Sequence, residues 1–251
     1  DERALMAFPF IPLAGLEMIR GDYERAEARW ASILTDVDIA RFPEHSGITF
    51  RLAELALAQG QLDRALRVAE EALEAARNAR YPYHEAGARV ILANVHLESG
   101  EIDLAAGEAG RALAAAMDSG NAEGAAQALL VVIRLAGLAG DVPGALRHLR
   151  TLVRSALQAG GSLAWAVVAE LVASLQVSMG ASREAASLYG AADAIRAAHR
   201  LPMGWLDRQR RTRDLESVRA TLGETAFSEA FDDGLTWTEQ TVIEFVSAVS
   251  V

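Results

Sequence analysis

Apolar positions along the chain come in helical blocks separated by short polar turns. Ile48, Leu52, Leu55 and Ala56 fall at helical spacing, Gly60 stops them, and Leu62, Leu66, Ala69 and Leu73 open a second apolar face. This predicts a helix over about residues 46–59 and a partner over about 62–78. The block recurs with Leu92 and Val95, then Ile102, Ala105, Ala109 and Leu113. Two further pairs are predicted, the fourth with helices over 129–138 and 142–157, the fifth over 163–179 and 183–198. A first pair covers 5–34, its leading helix shortened or made irregular by Pro9 and Pro12. Pro43 and Pro82 are expected in turns between pairs, and Pro143 in the first turn of its helix, where proline is tolerated. Strand-like alternation with period two is absent.

A ladder of small residues fixes the register. Gly21, Gly60, Gly100, Gly140 and Gly180 stand 39 to 40 residues apart, and each is followed five residues later by an alanine: Ala26, Ala65, Ala105, Ala145 and Ala185. A period in this range accommodates two helices and two turns, the signature of stacked helical hairpins. Each glycine is expected to end a first helix in the left-handed conformation. Each alanine then lies one turn into the second helix, where a small side chain lets two helices approach.

Composition adds limits. The chain has 251 residues, 51% hydrophobic, with 34 acidic against 24 basic residues and net charge −10. That is enough apolar material for a folded body, and its acidity disfavours nucleic acid and anionic membrane surfaces as partners. Every basic residue is arginine and cysteine is absent, so there is no disulfide, thiolate zinc site or cysteine nucleophile. A phosphate-binding P-loop needs a lysine that this chain lacks. No apolar run reaches the length of a membrane span, and Asp1-Glu2-Arg3 has no signal-peptide pattern. The expectation is a cytoplasmic piece of a larger protein.

The pattern resembles the tetratricopeptide repeat in its longer-period form. Leu13, Leu52 and Leu92 match the family's leucine in the first helix, and Ala14, Ala53, Ala93 and Ala173 its following small residue. Ala72, Ala112 and Ala192 match the small residue late in the second helix, whereas Ala56, His96, Ala136 and Gln176 replace the family's first-helix aromatic. His96 is expected to pack between helices there. The tail, with Leu188-Tyr189-Gly190-Ala191-Ala192-Asp193-Ala194-Ile195-Arg196, Pro202, Leu222-Gly223, Phe227 and Phe231, resembles the end of repeat domains in large bacterial regulators with LuxR-type, signalling-ATPase or antibiotic-regulatory modules. The tail reads physically as a cap: a helix over 205–222 stopped by Gly223, a short one through Phe231, and a last one opened by a Thr236-x-x-Glu239 capping box. The expected fold is thus an all-α, right-handed superhelical solenoid of about five tetratricopeptide-like hairpins over residues 1–200, with a helical C-terminal cap over 201–251.

Catalytic and metal patterns are sparse. His45, His84, His96, His148 and His199 show no metal-binding helical spacing, and no G-x-S-x-G elbow occurs. Neither cofactor nor metal is expected. The resemblance implies that first helices line a concave groove, which places Phe50, Glu54, Val90, Asn94, Glu98, Gln127, Arg134, Glu170 and Ser174 on its face. Asn94 there suits a clamp on an extended peptide backbone, and equally an ordinary solvated position. The implied function is a non-catalytic interaction or sensor module of a bacterial transcriptional regulator, holding a peptide, a partner domain or a small effector. The alternative is a helical-repeat hydrolase with Glu54 and Glu98 as acid and base. The arginine-rich segment 208–213 is expected to be matched within its own helix, Asp207 with Arg211, Arg210 with Asp214 and Arg213 with Glu216, and not to bind duplex DNA.

Overall fold

The computed structural model describes residues 10–36 and 43–250. Among them are thirteen helices and no strand: α1 Phe10–Ile19, α2 Tyr23–Asp36, α3 Pro43–Ala58, α4 Leu62–Asn78, α5 Pro82–Glu98, α6 Ile102–Asp118, α7 Ala122–Leu138, α8 Val142–Ala159, α9 Ser162–Ser178, α10 Ser182–His199, α11 Trp205–Leu222, α12 Glu224–Leu235 and α13 Glu239–Val249. The expected irregularity at Pro9, the leading residues from Leu5 and the His45 side chain lie outside the described residues. The helices gather in two compact units. The first holds the described residues up to Val131 together with Pro202–Leu206, and the second holds Val132–Leu201 and Asp207–Val251.

The fold is an all-α repeat of helix hairpins, and the glycine ladder does what its spacing demands. Gly21, Gly60, Gly100, Gly140 and Gly180 all take φ between 72 and 81°. At Gly60, the amide of Gln61 donates to the Ala56 carbonyl at 2.9 Å and that of Gly60 to Leu57 at 3.0 Å, a Schellman pair that satisfies the helix's last carbonyls. The same pair recurs after His96, Ala136 and Gln176, whose carbonyls accept from Glu101, Asp141 and Ala181. Ala26, Ala65, Ala105, Ala145 and Ala185 are fully buried, as are Ala14, Ala53, Ala93 and Ala173. Leu13 departs from the family pattern: it is exposed, whereas Leu52 and Leu92 are buried.

A second ladder, offset by half a period, closes the other turn of each hairpin. Arg80, Gly120, Gly160 and Arg200 have φ of 53, 66, 68 and 52°. Pro43 and Pro82, expected in turns, are instead the first residues of α3 and α5, where the missing amide hydrogen removes no intrahelical bond. The capping box also shifts. Thr236 ends α12, with its hydroxyl on the Asp233 carbonyl, and Thr238 caps α13 by accepting from the Thr241 amide.

The first unit's core runs through Trp30, Ile48, Leu55 and Ile91, with Leu206 buried in it and the Trp205 ring lying over Gly60. In the second unit, Val218, Phe227 and Ala230 pack against Ala185 and Ala186. There α10 and α12 meet backbone to backbone at Gly190 and Gly234, both buried.

Candidate functional site

A 40-residue period stacks equivalent positions of successive first helices. In the first unit, Gly47 on α3 and Gly87 on α5 are such a pair, and they form reciprocal sockets. A side chain at Gly47 would collide with the His84 ring, and one at Gly87 with the Phe50 ring. Each ring sits where the opposing helix has no side chain. Ser46 and His84 Nδ1 share a hydrogen bond at 2.7 Å. A serine beside a histidine suggests a nucleophile, yet Ser46 is only 1% exposed, so the pair locks α3 to α5.

These sockets hold a mixed aromatic and charged cluster at the surface. The Arg51 guanidinium lies 4.9 Å from the Phe50 ring centre and donates to Glu54 Oε2 at 2.8 Å. Tyr83 Oη donates to Glu123 Oε2 at 3.0 Å, joining α5 to α7. Partial burial alone would lower the Arg51 pKa, but Glu54, Glu123 and Tyr83 outweigh it and the net shift is upward. Burial first, and the Glu123 carboxylate second, push the Tyr83 phenol up. Tyr81 and Tyr83 are 42% and 36% exposed, and the His84 ring lies 4.4 and 5.7 Å from theirs.

The nine residues expected on a groove divide sharply. Phe50 and Glu54 belong to this cluster, and Gln127 is exposed. Val90 and Asn94 are buried, and Asn94 Nδ2 donates to the Val90 carbonyl of its own helix at 3.0 Å. The amide expected to clamp a peptide thus turns onto its own backbone. Glu98 is half-buried. Glu54 is tied to Arg51 by an ion pair at 2.8 Å. Sequence reasoning missed Arg51, Tyr83 and Glu123. Their available signal was the 40-residue interval between Tyr83 and Glu123, both in the first turn of a first helix.

In the second unit, Arg134, Glu170 and Ser174 are half-buried, buried and half-buried. Arg196 grips Glu170 in a bidentate pair, Nε at 2.9 Å and Nη2 at 2.8 Å. Arg211 Nη2 reaches Asp193 Oδ2 at 2.6 Å, and its Nη1 lies 3.5 Å from Glu170 Oε1. Arg134 faces Asp207 at 3.5 Å, and Tyr189 Oη donates to Asp214. Burial would lower the Arg196 pKa, yet Glu170 carries it upward; the Tyr189 phenol is pushed strongly up by burial and then by Asp214. The expected pairing of Asp207 with Arg211 along α11 is therefore corrected, since Asp207 meets Arg134 and Arg211 meets Asp193 and Glu170. Residues 207, 211 and 214 share one face of α11, residues 189, 193 and 196 share one face of α10, and the two stripes answer each other. His96 is not packed against apolar neighbours alone, since its Nδ1 meets Glu101 Oε2 at 2.6 Å across the Schellman turn.

The profile of the tetratricopeptide repeat family matches residues 17–83. No curated protein matches the sequence. Among solved structures, the crystal structure of BtubC (BKLC) from P. vanneervenii is similar over 79% of this chain and 82% of that one, at 18% identity and a TM-score of 0.57. At such identity the likeness is one of fold. This chain carries a tetratricopeptide-like helical repeat. Such repeats generally mediate contacts between proteins. Among the described residues no group of three histidine or acidic side chains gathers to hold a metal, and no helix is long and apolar enough to cross a membrane.

One buried ion pair of the repeat predicts a pH response. Arg89, on α5 and nearly fully buried, donates to Glu85 and to Glu108 Oε2 on α6 at 2.7 Å. Burial raises the Glu108 pKa, but hydrogen bonds from Arg111 and Arg89 overcome it and hold the carboxyl below its ordinary value. A depressed carboxyl stabilises the fold fully above its unfolded pKa, and that contribution is lost as pH falls through the folded value. Glu108→Gln should therefore lower stability at pH 7 and flatten its decline between about pH 5 and 3. Chemical melts across that range provide the check, and parallel curves for the two proteins would contradict it.

Proposed function

We propose that this chain is a non-catalytic protein-interaction module, and that the cluster of Phe50, Arg51, Glu54, Tyr83 and Glu123, with Gln127 beside Glu123 on the same helix, receives a peptide segment of its partner. The surface exposes Tyr81 and Tyr83, a residue type enriched among the side chains that dominate binding energy at protein interfaces. Its side chains are held by Gly47, Gly87 and the Tyr83–Glu123 bond, so little ordering opposes binding. The tail's likeness to bacterial regulators supports, in this reading, a module that works in the cytoplasm within a transcriptional regulator of the LuxR or related type. Residues 1–200 then supply the repeats and 201–251 the cap.

The test is selection of end-blocked peptides from a displayed library on the whole chain. Selected peptides should bind Tyr83→Ala at least about tenfold more weakly than wild type, with a melting temperature shifted by only a few degrees. Equal binding to wild type and this variant would refute the assignment.

A further inference from the structure

The charge and shape of this cluster also specify its partner. It sets two carboxylates, Glu54 and Glu123, around one guanidinium, Arg51, on a chain whose net charge is −10. The helix N-termini here carry acids of their own: Glu85 in the first turn of α5 and Glu123 in that of α7. These answer the positive ends of the helix dipoles, which would otherwise invite an anion. Arg51 is already held by Glu54, so an incoming carboxylate would have to displace that bond while facing Glu54 and Glu123.

The aromatic side chains point the same way. Arg51 already lies over the Phe50 ring, which shows that a guanidinium can stack on this surface. Tyr81 and Tyr83 offer two more exposed rings, both against the His84 ring, and Tyr83 is bonded to Glu123. The Tyr83 ring is held by its bond to Glu123, so that part of the platform is in place before a ligand arrives.

We propose that the occupant of this surface is a cationic peptide segment, whose arginine stacks on Tyr81 and Tyr83 and pairs with Glu123. The proposal rests on the interaction reading above and adds the sign of the partner.

Two end-blocked octapeptides of equal apolar content, one with two arginines and one with two glutamates, serve as probes against the whole chain. The arginine peptide should bind at least about tenfold more tightly than the glutamate peptide, and its affinity should fall several-fold between about 50 and 300 mM salt. Glu123→Gln should weaken the arginine peptide about fivefold or more and leave the glutamate peptide unchanged or improved. Glu123 is exposed, so this variant is expected to stay folded. Should it not, Tyr81→Ala provides the second reading, with the same expected loss for the arginine peptide. Equal affinities for the two probes, or preference for the glutamate peptide, would overturn the proposal. If library peptides that depend on Tyr83 prove neutral or acidic, the cationic partner falls while the interaction surface stands. If no peptide depends on Tyr83, both fall.

Discussion

Gly234→Ala is expected to destabilise the second unit by about 3 kcal/mol or more, although the same change in an exposed helix interior stabilises by about 0.5–1 kcal/mol. The sign reverses because of what a Cβ would meet. At Gly234 it would lie 1.9 Å from the Ser187 carbonyl oxygen, and at Gly190 it would lie 2.1 Å from that of Phe231. Both obstacles are backbone, so no rotamer change relieves them. The helices must move apart and open gaps around Phe227 and Ala230, which pack against Ala185 and Ala186. Gly110 on α6 provides the internal control, since a methyl group there would meet no atom within 4 Å. Gly110→Ala should leave the protein unchanged or slightly more stable. Urea melts of the three proteins decide the matter; a Gly234→Ala variant as stable as Gly110→Ala would mean that α10 and α12 do not meet at these glycines.

Backbone geometry is what made the repeat legible. A helix that must end in a left-handed residue selects glycine, and a close helix crossing selects alanine, so Gly60 with Ala65 or Gly100 with Ala105 carry the fold in their identities. The second ladder is hidden in the sequence because Arg80 and Arg200 occupy that conformation at a cost of about 1–2 kcal/mol each, with no mark in residue type. Site residues are harder for a related reason. Register says which face of a first helix Glu170 and Asn94 lie on, but not what covers that face. Glu170 is covered by Arg196 and Arg211, 26 and 41 residues further on. Asn94 is 8% exposed, and its amide donates to the Val90 carbonyl one turn back. The complementary stripes on α10 and α11 were written in the sequence at spacings of four and three, yet pairing them requires knowing that the two helices face each other.

Those stripes carry the second large effect. Glu170→Met should cost about 3–5 kcal/mol, because it leaves the Arg196 guanidinium buried without its bidentate partner. Glu170 and Arg196 are 9% and 7% exposed, so water cannot substitute for the lost carboxylate. Arg211 suffers less, since its shorter bond is to Asp193, which lies nearer solvent. The pair's own worth is a separate quantity. Two charges removed from water gain little over an apolar pair of similar volume, so adding Arg196→Met to Glu170→Met should recover much of the loss. A double-mutant cycle by urea melts should then give a coupling of roughly 2 kcal/mol or more, little changed at 0.5 M salt, because buried pairs are weakly screened. An exposed pair would behave otherwise, with single-variant costs below about 1 kcal/mol and coupling erased by salt. That outcome would show that α10 and α11 do not enclose Glu170.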